Sequence, residues 1–120
     1  MRSLKGRRIL IVEDEVLIGI MASEMLEEME ATVLGPALNV ADGVALAESE
    51  TLDAALIDIN LGGTRSDAVV DVLEQRGVPI LYTTGYSKTA APPHGSMVLE
   101  KPYSADALAS ALVSILDKSI

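Results

Sequence analysis

Two acidic stretches and one lysine carry most of the chemistry available to this chain: Glu13-Asp14-Glu15 behind the run "RILIV", Asp58 closing "AALID", and Lys101 within "VLEKPY". Aliphatic side chains seek burial, whereas carboxylates seek water or a counterion. "RILIVEDEV" therefore reads as a strand driven into a core and ending on like charges. Carboxylates held close together raise one another's pKa unless a cation sits between them. Every candidate ligand is an oxygen, so the ion would be hard. Mg²⁺ takes one or two carboxylates together with waters and phosphate oxygens, which suits an open crevice better than a calcium cage. Thr83-Thr84 follows another apolar run and can add a hydroxyl. A carboxylate, a hard cation, a hydroxyl and an ammonium around one cavity are the parts of a phosphoryl-transfer site, whose loose transition state needs positive charge and donors. Plainer accounts exist. Acids suit the positive end of a helix, and that account is adopted for Glu15. A lysine beside acids is ordinarily an ion-pair partner.

These residues converge only if the right elements carry them. Short aliphatic runs recur at residues 9–12, 32–34, 54–57, 80–82 and 97–99, without alternation, as expected of strands covered on both faces. Between them lie helical spacings. One puts Ile18, Met21, Ala22, Met25 and Met29 on the inward face of a helix over residues 16–30. Asn39 with Asp42 marks a second start, Ser66 and Ser104 are candidate caps for two more, and Gly77 with Pro79 stops the third. Strand and helix alternate, which predicts an α/β fold: a flavodoxin-like, doubly wound, five-stranded parallel sheet of order 2-1-3-4-5. In such a sheet ligands bind beyond the carboxyl ends of strands 1 and 3, where Glu13, Asp14 and Asp58 would meet. Only twelve residues, "GYSKTAAPPHGS", join Thr84 to Met97. With Pro92-Pro93 among them the fourth helix is expected to be short or missing.

Composition narrows the classes further. The 120 residues form one domain, 1–120, with its core at about 8–117. The chain has no Phe or Trp, three Tyr and a net charge of −9, which argues against a nucleic-acid partner. Arg2, Lys5, Arg7 and Arg8 read as a solvated N-terminal tail. There is no cysteine and one histidine, His94, so thiolate and histidine metal clusters are excluded. No signal peptide or membrane span is legible, and a soluble cytoplasmic protein is expected.

Glu13-Asp14 after strand 1, Asp58 after strand 3, Thr84 after strand 4 and Lys101-Pro102 after strand 5 together resemble the receiver domain of two-component response regulators. The resemblance covers essentially the whole chain. It implies that Asp58 is the phosphoacceptor, taking a phosphoryl group from a phosphohistidine on a histidine kinase or histidine phosphotransfer protein. It implies further that Asp14 holds Mg²⁺ directly, Glu13 mainly through water, and the Asn60 main-chain carbonyl adds a ligand. Thr84, just before Gly85, matches the hydroxyl position, Lys101 would pair with the phosphoryl group, and the Lys101-Pro102 bond would be cis. "YTTGYS", "GPA", "DINLGG" and "KPY", with Tyr103 closing the last, are similar to the stand-alone subfamily whose fourth strand runs Phe-Ala-Thr-Gly-Tyr, associated with HWE-type histidine kinases in stress or phosphorelay circuits.

The chain departs from the common pattern at Val98, where the family usually places an aromatic ring that reports phosphorylation. A different switch is expected, in which residues 85–96 are mobile without phosphate and order when Thr84 turns toward them. Tyr86 either gates the hydrolytic water or packs on the surface. With no output domain in the sequence after this receiver, the message is expected to pass to a downstream protein by contact or onward phosphotransfer, unless the chain is a fragment of a longer protein. The oligomeric state is open, with a monomer favoured. Two other classes fit less well. A small Mg²⁺-dependent phosphatase or phosphotransferase with an Asp nucleophile needs a second Asp where Asn60 stands. A flavodoxin-like electron carrier would want a phosphate loop and aromatics.

Overall fold

A computed structural model describes residues 4–85 and 96–118. The elements follow in order as β1 (Arg8–Val12), α1 (Val16–Glu28), β2 (Thr32–Ala37), α2 (Val40–Ser49), β3 (Ala54–Asp58), β4 (Asn60–Leu61), β5 (Thr64–Arg65), α3 (Asp67–Gln75), β6 (Ile80–Thr84), β7 (Val98–Glu100) and α4 (Ala105–Lys118). Strands β2-β1-β3-β6-β7 form one parallel sheet. With the small β4-β5 hairpin set aside, this is the predicted order 2-1-3-4-5. Among the described residues there are four helices. The predicted short or missing fourth helix falls on residues that lie outside the described ones.

Strand alternation sorts the aliphatic runs onto two faces. Ile9, Ile11, Leu56 and Leu81 meet Ala22 and Leu26 of α1 and Leu108, Leu112 and Ile115 of α4. Leu10, Val12, Ala55, Ile57 and Tyr82 meet Ala47 of α2 and Val69 and Leu73 of α3. Because both faces are covered, the strands carry no polar alternation.

Local signals fix most of the ends. The Asn39 side chain accepts the Asp42 N–H at 2.8 Å, and the Ser104 hydroxyl accepts the Ala107 N–H at 3.1 Å, capping α2 and α4. Gly77, at φ 71°, ends α3 as the Val78 N–H reaches back to the Leu73 carbonyl. Three expectations need correction. Ser66 does not cap α3 with its side chain; its hydroxyl donates to the Ile59 carbonyl instead. Met21 does not face inward: α1 buries Gly19, Ala22 and Leu26, leaving Met21 46% exposed. The basic residues Lys5, Arg7 and Arg8 are not a free tail. Arg8 belongs to β1, donating to the Thr51 carbonyl and pairing with Glu50 at 2.9 Å, while Arg7 and Lys5 approach Asp53 and Glu30. Arg2 lies outside the described residues.

Candidate metal and phosphoacceptor site

β1 starts at half-exposed Arg8 and stays buried through Val12, and its direction delivers Glu13 and Asp14 at the carboxyl edge of the sheet. β3 pairs beside it in register and ends on Asp58. The Glu13 N–H donates to the Ala37 carbonyl of β2 at 2.9 Å, which fixes where β1 lets go of the sheet. Glu13, Asp14 and Asp58 consequently bring carboxylate oxygens within 4.8 Å of one another. Glu13 and Asp58 are buried, Asp14 half-buried.

Lys101 supplies the counter-charge. Its ammonium donates to Asp58 Oδ2 at 2.9 Å and to Glu13 Oε1 and Oε2 at 3.0 and 3.3 Å. Its side chain is 6% exposed, so these are charge-assisted bonds in a dry setting. Burial pushes the Glu13 carboxyl up to about 7; bonds from the Glu15 N–H and Lys101 oppose this, and the Asp58 charge adds to it. For Lys101, burial works against the charged form, but the bonds to Asp58 and Glu13 outweigh it and raise its pKa. Negative charge in excess of one ammonium is crowded into this crevice, and oxygen donors of that kind fit a hard divalent cation.

The loop after β3 shapes the other wall. The Asn60 N–H donates to Asp58 Oδ1 at 3.1 Å, so each Asp58 oxygen has a fixed partner. Asn60 also turns its side-chain oxygen to the Gly63 N–H, inside a hairpin whose Gly62 and Gly63 take φ of 60° and 91°. Two positive-φ residues between paired strands are the tight-turn geometry that glycine favours. A Cβ on Gly62 would lie 3.5 Å from Asp14 Oδ2, so the turn sits directly against the acid. The sequence reading missed this hairpin, though Gly-Gly flanked by short strand-like pairs was the signal for it.

The remaining predicted residues are arranged around this centre. Thr84 ends β6, and its carbonyl accepts the Lys101 N–H at 2.9 Å. Thr83, paired with Asp58 across β3-β6, is buried, whereas Thr84 is half-buried at the rim. A Cβ on Gly85 would stand 3.6 Å from Lys101 Cε, so this glycine lies along the lysine stem. The Lys101-Pro102 bond is cis, as is Gly35-Pro36, which the sequence did not suggest. Val98 packs among the residues on the α2-α3 side. Tyr103 packs on the α1-α4 side and, with Pro102, lines a cavity of about 90 Å³ closed by Ile18, Met21, Ala22 and Met25. Burial, then the Glu13 charge, pushes the Tyr103 hydroxyl up to about 12. Tyr86 lies outside the described residues.

Comparison with known proteins agrees with this arrangement. No protein-family model matches the chain. The solution structure of SdrG from Sphingomonas melonis Fr1 superposes with a TM-score of 0.83 at 37% identity, covering 96% of this chain and 99% of that one. A response regulator receiver domain protein (CheY-like) from Methanospirillum hungatei JF-1 gives a TM-score of 0.81 at 25% identity, over 96% of this chain and 97% of the other. In sequence, the phyllosphere-induced regulator PhyR of Methylorubrum extorquens is 34% identical over 101 residues, 79% of this chain. The chain is a response regulator receiver domain. It spans 38% of the length of PhyR, so it corresponds to part of that relative. Receivers are signalling proteins rather than metabolic enzymes and bind Mg²⁺ at an acidic pocket, and this chain has an acidic cluster in Glu13, Asp14 and Asp58. No helix among the described residues is long and apolar enough to cross a membrane.

Proposed function

We propose that this receiver takes a phosphoryl group from a phosphohistidine, on a histidine kinase or histidine phosphotransfer protein, onto Asp58 in a Mg²⁺-dependent reaction. An Asp58 oxygen forms the new bond to phosphorus as the phosphorus–nitrogen bond to the donor imidazole breaks. The departing imidazole keeps the bonding electrons and takes its proton from solvent. Asp14 and Asp58, the Asn60 main-chain carbonyl and, through water, Glu13 would hold Mg²⁺. When bound it neutralises charge on the transferring group. Lys101 pairs with one phosphoryl oxygen, and the Thr84 hydroxyl meets another. Hydrolysis by water then resets Asp58.

The observation that carries this reading is the meeting of Glu13, Asp14 and Asp58 oxygens within 4.8 Å beside the Lys101 ammonium. A protein donor is supported by the apolar residues Val16, Leu17, Ile20, Met21 and Leu38, which stand exposed on α1 and after β2. Val16 and Leu17 follow the acids directly, next to the site. The Phe-Ala-Thr-Gly-Tyr subfamily linked to HWE-type kinases is supported by "YTTGYS". We read the chain as a cytoplasmic receiver with core 8–117, its oligomeric state open and a monomer favoured, signalling through a downstream protein. Gly85, Tyr86, Val98, Pro102 and Tyr103 form its switch region. Intact-mass analysis after incubation with acetyl phosphate tests the central step. Phosphate gain that needs both Mg²⁺ and Asp58, lost with EDTA and in Asp58→Asn, is expected. Gain independent of either defeats the assignment.

A further inference from the structure

Glu15 opens α1 but has no part in the metal and phosphoacceptor roles assigned above. It occupies the N-cap position of α1, yet its side chain makes no capping hydrogen bond. Its Oε1 lies instead 3.8 Å from Lys101 Nζ, and its side chain is 57% exposed where that of Lys101 is 6% exposed. Lys101 thus has two close inner partners, Glu13 and Asp58, and one loosely held outer partner at the rim.

We propose that Glu15 is a positioning residue for Lys101, receiving the ammonium group when a divalent cation takes Asp58 directly and Glu13 through its bound water. This rests on the metal reading above. The ammonium now engages Asp58 Oδ2, on the carboxylate a cation would bind directly, and both Glu13 oxygens, which would accept from the cation's water. A small divalent ion binds its direct oxygen ligands at about 2.0–2.1 Å, too close for Asp58 to keep a second cation at full strength, and its bound water competes with the ammonium for Glu13. A lysine displaced inside a dry pocket must find another anion or carry its charge unpaired. Glu15 is within a short swing, and the flexible four-carbon stem can deliver it. Gly85 has no side chain to obstruct the stem at Cε.

A competing account holds that Glu15 merely adds negative potential. The two differ in a way that can be measured. A background field acts whether or not Lys101 is present, whereas a positioning residue acts only through it. Mg²⁺ titration by calorimetry on wild type, Glu15→Gln, Lys101→Met and the double variant separates them. Glu15→Gln is expected to weaken Mg²⁺ binding roughly two- to fivefold in the wild-type background, the scale of a half-exposed ion pair. In the Lys101→Met background it is expected to change nothing. Lysine-selective ¹⁵N spectra supply an independent signature. Saturating Mg²⁺ moves the Lys101 ammonium resonance in wild type and moves it to a different position in Glu15→Gln. An equal loss in both backgrounds, or an ammonium signal unmoved by Mg²⁺, overturns the proposal while leaving the metal site intact. No Mg²⁺ binding by wild type overturns both. Should Lys101→Met fail to fold, the spectra of wild type and Glu15→Gln decide.

Discussion

Lys101 holds together two acids that would otherwise repel each other in a buried crevice. Removing one member of such a group leaves an uncompensated charge, at a cost of about 3–5 kcal/mol. Lys101→Met is expected at the lower end, about 3 kcal/mol, because Glu13 stands ready to take up a proton. Urea unfolding without metal measures this loss, and saturating Mg²⁺ is expected to recover most of it. A hydrophobic replacement that is equally stable without metal argues that the lysine is not the counter-charge. The carboxylates of this site were legible in the sequence because their position at strand ends follows from topology. The lysine's simultaneous grip on residues 43 and 88 positions away was not, since sequence fixes which end of the sheet a residue reaches but not which oxygen it meets. Glu15 does open α1 as read, at its N-cap position, but its approach to Lys101 was not legible for the same reason.

At the scale of the elements, the turn of β2 into its last residues matters to the site. Gly35 takes φ 99°, and a Cβ there would lie 2.7 Å from both the Ala37 nitrogen and the Ile11 carbonyl oxygen. The β1-β2 register shifts at this point, and beyond it Ala37 accepts the Glu13 N–H. Gly35→Ala is expected to cost roughly 3 kcal/mol, from the left-handed conformation and the backbone overlap together. Thermal or urea unfolding measures it. A change of only a few tenths would mean that β2 can shift without strain. Helix positions were readable where polar caps or stops stand out, as at Asn39, Gly77 and Ser104. The rotation of α1 was not. Val16, Leu17, Ile18, Ile20 and Met21 are apolar on every side, so periodicity gave no contrast by which to choose the buried stripe. Packing chose it through Gly19, where a Cβ would stand 3.2 Å from Pro36 Cβ. Ser66 misled because a serine before a helix can equally satisfy a buried carbonyl.

For the whole molecule, nine basic side chains face eighteen acidic ones. Self-repulsion of this size weakens the folded state at low ionic strength. Raising monovalent salt from about 0.01 to 0.15 M shortens the screening length from about 30 to 8 Å. It is expected to stabilise the metal-free protein by no more than about 1 kcal/mol. Mg²⁺ at tenfold over its dissociation constant adds about 1.4 kcal/mol by mass action, and this increment is expected to vanish in Asp14→Asn while the salt response remains. Melting curves in NaCl and MgCl₂ at matched ionic strength separate the two. Equal curves for both salts would reduce the acidic crevice to ordinary surface charge.

The aliphatic core has an optical consequence. With no tryptophan in the chain, its intrinsic emission comes from tyrosine alone. Tyr82 is sealed between the sheet and the α2-α3 side, 4% exposed, while Tyr103 borders the acidic crevice and keeps its phenolic proton far into the alkaline range. A fluorescence change on adding a cation therefore comes from a tyrosine other than Tyr82, whose signal waits for global unfolding.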